Sequence, residues 1–323
     1  MVGGGIAGVA AAREGRRRGH DVVLFEPSGL ASGASADGAG MVRSCGVDDL
    51  ERALALRTLR IVADDPAFRR VGGVLAADDP AQLSAWGRPA PLPVELQPLA
   101  AARWGLLAPD DGVLDVQRWC DAASSGIPVR GERVAASDVS KRGRVILALG
   151  AWTTSWAAEI GLVRRLQPRR RHLLHIERGP ALRDDLAWCW DLGRGAYLRS
   201  GSAGAVASAC DVLDAAHLPP RGEGAVEPAH VQTVVDAFPG LSTGDFGRSR
   251  WGLRSFTATG APWAGPDPDR DGWWWFCGFG GFGASCAPGA AEVLWDRVEG
   301  RRVHDLDVSR LDVLGTQGSA ARG

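Results

Sequence analysis

The 323-residue chain contains no asparagine, one lysine (Lys141), one tyrosine (Tyr197) and two methionines. Arginine fills every other basic position, which reads as the codon bias of a GC-rich genome rather than as chemistry. It makes the one surviving tyrosine a residue to follow. There is no C-x-x-C; Cys45, Cys120, Cys189, Cys210, Cys277 and Cys286 are scattered. That spacing argues against zinc ligands or a disulfide frame, so the thiols are expected to be reduced and mostly buried, and no metal is expected. No apolar run approaches the roughly 18 residues of a membrane-spanning helix. The first residues show neither a basic leader nor a signal-type apolar stretch, which points to the cytoplasm. The formal charge is −1, and the longest basic clusters are the arginine triplets at 16–18 and 169–171. An extended nucleic-acid surface is therefore not expected. There is no long internal repeat.

What is present begins at the first residue. With 45% hydrophobic residues the chain can bury one large core or two linked domains. It opens MVGGGIAGVAAAREGRRRGHDVVLFEP, in which Gly3, Gly5 and Gly8 form G-x-G-x-x-G. A helical run follows, then the short apolar strand DVVLFE, closed by Glu26, 18 residues beyond Gly8. Glycine turn, helix, strand and acid are the second half of a βαβ unit. Gly3 allows a tight turn, Gly5 lets a pyrophosphate approach, and Gly8 lets the helix pack close. The helix N-terminus adds partial positive charge, and the acid suits ribose hydroxyls. A bare G-x-G-x-x-G is weak evidence, but the ordered context argues for dinucleotide binding. The strand that should precede the glycines is reduced to Met1 and Val2. The expected explanation is a start site placed too far downstream, ahead of a decaying gene or a tolerated, weakened sheet.

Further along, 29–41 is a small-residue loop and DLERALALRTLRIVADD an amphipathic helix. FRRVGGVLAA reads as a strand pair or bent strand, and 86–113, rich in Pro and Ala, as loosely organised. VQRWCDAASS is a short helix, GRVILALGAW a buried strand, and PRRRHLLHIE and GAYLRSGSAGAVASA strands of a second sheet. EPAHVQTVVDAFPGL is a helix; DGWWWFCGFGGFGASCAPGAAEVLWDRVEG reads as strand, glycine turn and helix. The tryptophan run fits a buried strand better than a stacking platform. The tail 316–323 is expected to be disordered.

Five segments in order resemble the FAD-dependent D-amino acid oxidase superfamily, from Gly3 to about residue 297. GGGIAG with Glu26 resembles its first FAD motif. ASGASADGAGM resembles its flavin-side loop, with Asp37 where many members carry Asn. RVILALGAW resembles the strand that returns to the cofactor. WGLRSFTATGAPWAGPDP resembles W-x-G-L-R-x-x-T-x-D-G-x-P-x-x-G, with one residue fewer after Trp251 and Thr259 in place of the Asp. GFGGFGASCAPG resembles the loop and helix start beside the flavin pyrimidine. LQPRRRHLL, GAYLRS and WGLRSF are most similar to D-arginine dehydrogenase and its relatives. The stretch between GIPVRGERV and GRVILALG is short for the family.

The resemblance implies an α/β fold. A Rossmann-like FAD-binding domain with a truncated first strand (1–45, 110–162 and 255–315) would join a substrate domain on a mixed, largely antiparallel sheet (46–109 and 163–254). It implies noncovalent FAD held by Gly3, Gly5, Ile6, Ala7, Gly8 and Glu26, by Ser32, Gly33, Ala34 and Ser35, by Gly150 and Trp152, and by Gly278, Gly280, Gly281, Phe282 and Gly283. Cys286 lies in the last loop, but the sarcosine oxidase branch attaches its flavin upstream of it.

The implied reaction oxidises the C–N bond of a D-amino acid or related amine, with hydride transfer to flavin N5. Arg254 matches the family's carboxylate-binding arginine and Tyr197 its carboxylate-binding tyrosine. Arg170 or Arg171 matches an arginine near the substrate, although consecutive arginines more often mark a solvated edge. His172 and His175 are read as facing one side of their strand, a pair more often polar surface than metal site. The partners implied are a small amino acid or amine and an unidentified electron acceptor. A family lysine beside the flavin serves reaction with O2; Lys141, in a polar turn, is not placed for that, so dehydrogenase behaviour is expected. The alternatives are the FAD domain of a wobble-uridine tRNA modification enzyme, which the near-neutral charge disfavours, and a truncated non-catalytic flavoprotein. The missing strand favours the latter; Arg254 and Tyr197 oppose it.

Overall fold

The computed structural model describes residues 1–139, 143–177, 182–201, 204–211, 213–214 and 221–313. Lys141 and the tail 316–323 lie outside the described residues. Among these residues there are seven helices: α1 (Ile6–Arg17), α2 (Asp49–Val62), α3 (Val116–Ala123), α4 (Ala136–Val139), α5 (Thr153–Ala158), α6 (Pro228–Ala237) and α7 (Gly283–Val298). None of the described helices is long and apolar enough to cross a membrane.

The first helix buries Ile6, Val9 and the alanine run 10–12. Small side chains let it approach α7 closely. A Cβ on Gly15 would stand 2.3 Å from the Trp295 ring, and the Trp295 indole N–H donates to the Ala11 carbonyl at 2.7 Å. On the other flank of α7, a Cβ on Gly289 would stand 2.2 Å from the Leu54 carbonyl oxygen of α2. The Gly289 N–H donates to Thr58 Oγ1 at 2.9 Å. The second and third helices start where acidic caps allow: Asp48 accepts from the Glu51 N–H and Asp115 from the Arg118 N–H.

A parallel sheet runs beside α1. The Leu24–Phe25 strand pairs in parallel with Val129–Arg130. The Val145–Leu147 strand pairs in parallel with Trp273–Cys277, which pairs antiparallel with Trp263–Pro266. Val2 bridges the two parts, in parallel register with both Phe25 and Leu147. Its N–H donates to the Ile146 carbonyl at 2.9 Å and its carbonyl accepts from the Ala148 N–H at 2.8 Å. The position expected of a full first strand is thus held by one residue and its neighbours. Beside it a cavity of about 450 Å³ opens between Val22 and Val23 on one side and Val145 and Ile146 on the other.

Among the described residues the second sheet has ten strands, all paired antiparallel except Trp188–Asp191, which is parallel to Gly73–Ala77. Within it Gln167–Ile176 lies between Phe246–Phe256 and Ala205–Ser208. One face packs under α6, where Leu174, Leu198 and Ala207 meet Val231 and Val234. The other carries Leu173, Tyr197 and Val206. Residues 86–113 are more ordered than their composition suggests: Trp104–Ala108 pairs with Gly73–Ala77, and Ala90–Pro91 pairs with it in turn at the edge of this sheet. Cross-strand pairing supplies the order that local propensity withholds. Gly112–Leu114 joins Met41–Val42 and Phe68–Arg69 in a small third sheet.

Candidate functional site

A cavity of about 550 Å³ lies between the two large sheets. Its first wall is the glycine turn. Gly3 has φ +105°, and a Cβ there would sit 2.3 Å from the Ala148 carbonyl oxygen. A Cβ on Gly8 would sit 1.7 Å from the Gly3 carbonyl oxygen. Both positions therefore require glycine for the fold itself. Gly5 differs: a Cβ there meets only Ser35 Oγ, at 3.2 Å, and Gly5 lines the cavity.

The N-terminus of α1 has no side-chain cap at Gly5. The Ile6 N–H donates to Ser35 Oγ at 3.0 Å. The Glu26 carboxylate accepts from the Gly4 N–H at 2.7 Å and the Ser28 N–H at 2.8 Å, which fixes the turn from below. Helix N-terminus, hydroxyls and open glycine surface form a cradle suited to a diphosphate.

Gly3, Gly5, Ile6, Ala7 and Glu26 line the cavity. So do Ser32, Gly33, Ala34 and Ser35, followed by Gly150 and Trp152 and then Gly278, Gly280, Gly281 and Gly283. Gly8 and Phe282 do not: Gly8 supports Gly3 from behind, and Phe282 lies against the guanidinium of Arg43, 4.5 Å from ring centroid to Cζ. Cys286 is buried away from the cavity, its thiol donating to the Glu51 carbonyl at 3.6 Å.

At the far end of the cavity the second sheet presents Arg171, Tyr197 and Arg254. Side chains alternate along a strand, and this separates the two arginines left open by the sequence. Arg171 lines the cavity, and its Nε donates to the Asp211 carbonyl at 3.2 Å. Arg170 points to the opposite face, 3.9 Å from Glu227 and over Trp251. The same alternation corrects the reading of His172 and His175. Three positions apart, they face opposite sides of the sheet.

Arg254 Nε is buried without a hydrogen-bond partner. Burial pulls this guanidinium below its ordinary pKa, with the nearby Tyr197 opposing the shift. Burial likewise pushes the Tyr197 phenol up, opposed by Arg254. Arg254 as a whole is only half-buried, so its remaining donors face the cavity, and a buried donor left unsatisfied favours a site where an anion can meet the guanidinium.

Three cavity residues had no motif to announce them. Arg43 is 4% exposed, and its Nη1 has no hydrogen-bond partner. It stands 4.0 Å over the Trp190 ring, and burial draws its pKa down to about 10. The loop carrying it is held by buried Asp111, which accepts from the Ser44 N–H at 3.0 Å and hydroxyl at 2.6 Å. Trp190 also stacks edge-on to Tyr197, at 6.0 Å between ring centroids. Arg221 pairs with Asp37 at 3.2 Å on the cavity rim; Asp37 is itself raised by burial, against the pull of Arg221. In sequence, Arg43 and Arg221 are two arginines among many.

Residues 1–297 match the family model described as DAO, FAD dependent oxidoreductase. No curated protein sequence matches the chain. Among solved structures, glycine oxidase from Geobacillus kaustophilus superposes with a TM-score of 0.76 at 20% identity, covering 97% of each chain. Iminodiacetate oxidase from Chelativorans sp. BNC1 gives 0.76 at 20% identity, covering 97% of this chain and 98% of the other. L-proline dehydrogenase from P. horikoshii gives 0.80 at 17% identity, covering 96% of this chain and 95% of the other. At these identities the likeness is one of fold.

Proposed function

Because the chain belongs to the DAO family of FAD-dependent oxidoreductases, we propose that it oxidises the C–N bond of a D-amino acid or a related amine to an imine. The cofactor is FAD, held noncovalently, and when bound it supplies the acceptor for the substrate hydride. The glycine cradle supports its place in the cavity: the surface at Gly5 is open where any side chain would intrude, and Ile6, Ser35 and Glu26 surround it with oriented polar groups. We assign residues 1–45, 110–162 and 255–315 to cofactor binding and 46–109 and 163–254 to the substrate side.

The reading is carried by one observation. Arg254 presents a half-buried guanidinium, its Nε buried without a hydrogen-bond partner, beside Tyr197 on the wall of the cavity formed by the second sheet. A carboxylate arriving there would take charge-assisted hydrogen bonds from Arg254 and one from the Tyr197 hydroxyl. Holding the carboxylate fixes which face of the α-carbon is presented. Trp190, edge-on to Tyr197, and Arg43, over the Trp190 ring, line the cavity on the same side. As the hydride leaves the α-carbon, the nitrogen lone pair forms the C=N bond. Water then adds to the released imine, giving an oxo acid and ammonia, or a smaller amine from a secondary amine.

A substrate panel tests this, with dye and O2 compared as acceptors. D-amino acids should bleach the bound flavin, and we expect the dye to outpace O2, as for a dehydrogenase. Arg254→Ala should leave flavin content intact, raise KM, and lower kcat/KM by about 100-fold or more, since a desolvated charged pair is worth several kcal/mol. Unchanged kinetics would remove Arg254 from the site. Flavin that stays yellow with every amino acid and amine would refute the proposed reaction.

A further inference from the structure

On the face of the large sheet that turns away from the cavity, His172, Glu227 and His230 come together. His172 belongs to the Gln167–Ile176 strand, Glu227 is the residue before α6, and His230 lies in its first turn. Each offers one ligand atom, and these atoms all lie within 4.8 Å of one another. Glu227 Oε1 is 3.8 Å from His172 Nε2. Glu227 Oε2 is 3.8 Å from His230 Nδ1. The two imidazole rings are 4.8 Å apart. We propose that this cluster is a binding site for a divalent transition-metal cation of the zinc type, clamping α6 to the sheet.

Three features beyond proximity support it. His172 is 4% exposed, and its Nδ1 is 2.8 Å from Asp211 Oδ2. A carboxylate on one ring nitrogen fixes the imidazole tautomer and aims the lone pair of the other nitrogen outward, the outer-shell device of metal-binding histidines. Here the other nitrogen, Nε2, is aimed at Glu227. Second, His230 Nδ1 is buried and has no hydrogen-bond partner. A buried ring nitrogen is seldom left so, and a cation would satisfy it. Third, the donor set is two imidazoles and a carboxylate, which suits first-row transition cations and not calcium or magnesium.

Tetrahedral zinc holds its donors about 3.4 Å apart, from bond lengths of about 2.1 Å. Closing the cluster takes shifts of about an ångström. Glu227 can supply most of that, because its side chain is 49% exposed. It would leave Arg170, which lies 3.9 Å away. The cation would thus replace a loose ion pair with direct coordination. Asp211 also ties the cluster to the cavity, since its backbone carbonyl accepts from Arg171 Nε at 3.2 Å.

The test needs no activity. Untagged protein is dialysed to equilibrium against zinc chloride, with magnesium chloride as the control, and bound metal is quantified per chain. One zinc per chain is expected, with a rise in Tm that magnesium does not produce. Glu227→Gln changes a half-exposed side chain and should fold normally while weakening zinc binding at least ~10-fold; His230→Gln should do the same. Asp211→Asn leaves all three ligands in place yet should weaken binding ~10–100-fold through the tautomer of His172. Zinc uptake no greater than magnesium uptake, or uptake that Glu227→Gln and His230→Gln leave unchanged, would overturn the proposal.

Discussion

Gly3, Gly5 and Gly8 are glycines for different reasons, and the difference can be measured. At Gly3 and Gly8 a methyl group would collide with backbone oxygen, so substitution breaks the turn itself. At Gly5 a Cβ meets only Ser35 Oγ, at 3.2 Å. Gly5→Val should therefore keep the fold and lose the cofactor, because the side chain occupies the space a diphosphate needs. The expected result is native-like circular dichroism with flavin absorbance lost on gel filtration; retained flavin would place the cofactor elsewhere. The glycines were legible because they answer to local backbone geometry. Arg43 was not. Its role comes from being buried between Trp190 and Phe282, which are distant in sequence and carry no mark of meeting there.

The second helix shows how an element can carry a charge against its own packing. Glu51 lies in the first turn of α2, and its pKa is pushed up to about 7, chiefly by burial and further by Asp48, with Arg43 opposing. A carboxyl whose folded pKa exceeds its ordinary 4.5 favours folding while it stays neutral. That contribution is complete below pH ~4.5 and is lost as the pH rises through about 7. At pH 8 the ionised group sits where the fold disfavours it. Glu51→Gln should raise stability at pH 8 by about 1–2 kcal/mol, discounted for partial exposure, and change little at pH 4.5. Thermal unfolding at the two pH values checks this; an equal shift at both would assign the effect to packing. Most elements were legible from periodicity. The helices of 6–17, 49–62 and 283–298 lie within the segments that pattern reading marked, and the strand of 167–176 begins one residue before its marked segment. The strands of 90–91 and 104–108 escaped it because their partners, not their propensities, hold them extended.

At the scale of the whole molecule, the parallel sheet beside α1, the large antiparallel sheet and the loops between them all face one cavity. A ligand filling that space contacts both sheets, so it should stabilise the molecule as a unit. Protein stripped of FAD should melt several degrees lower, and its Tm should climb with added FAD; at 100 times the Kd the gain is about 2.7 kcal/mol. A Tm indifferent to FAD would contradict binding between the sheets. The amino-acid sequence by itself determined the α/β architecture, the glycine turn and the family, because each is written in short-range signals: glycine spacing, helical and strand periodicity, and motifs in a fixed order. Tertiary structure alone decided that Val2 bridges the two parts of the parallel sheet, that Arg171 rather than Arg170 reaches the cavity, that Arg43 and Trp190 also line it, and that His172 meets Glu227 and His230 behind it. These depend on strand register and on which faces pack together. Register and packing are set by contacts between residues far apart in the chain, and no local pattern encodes them.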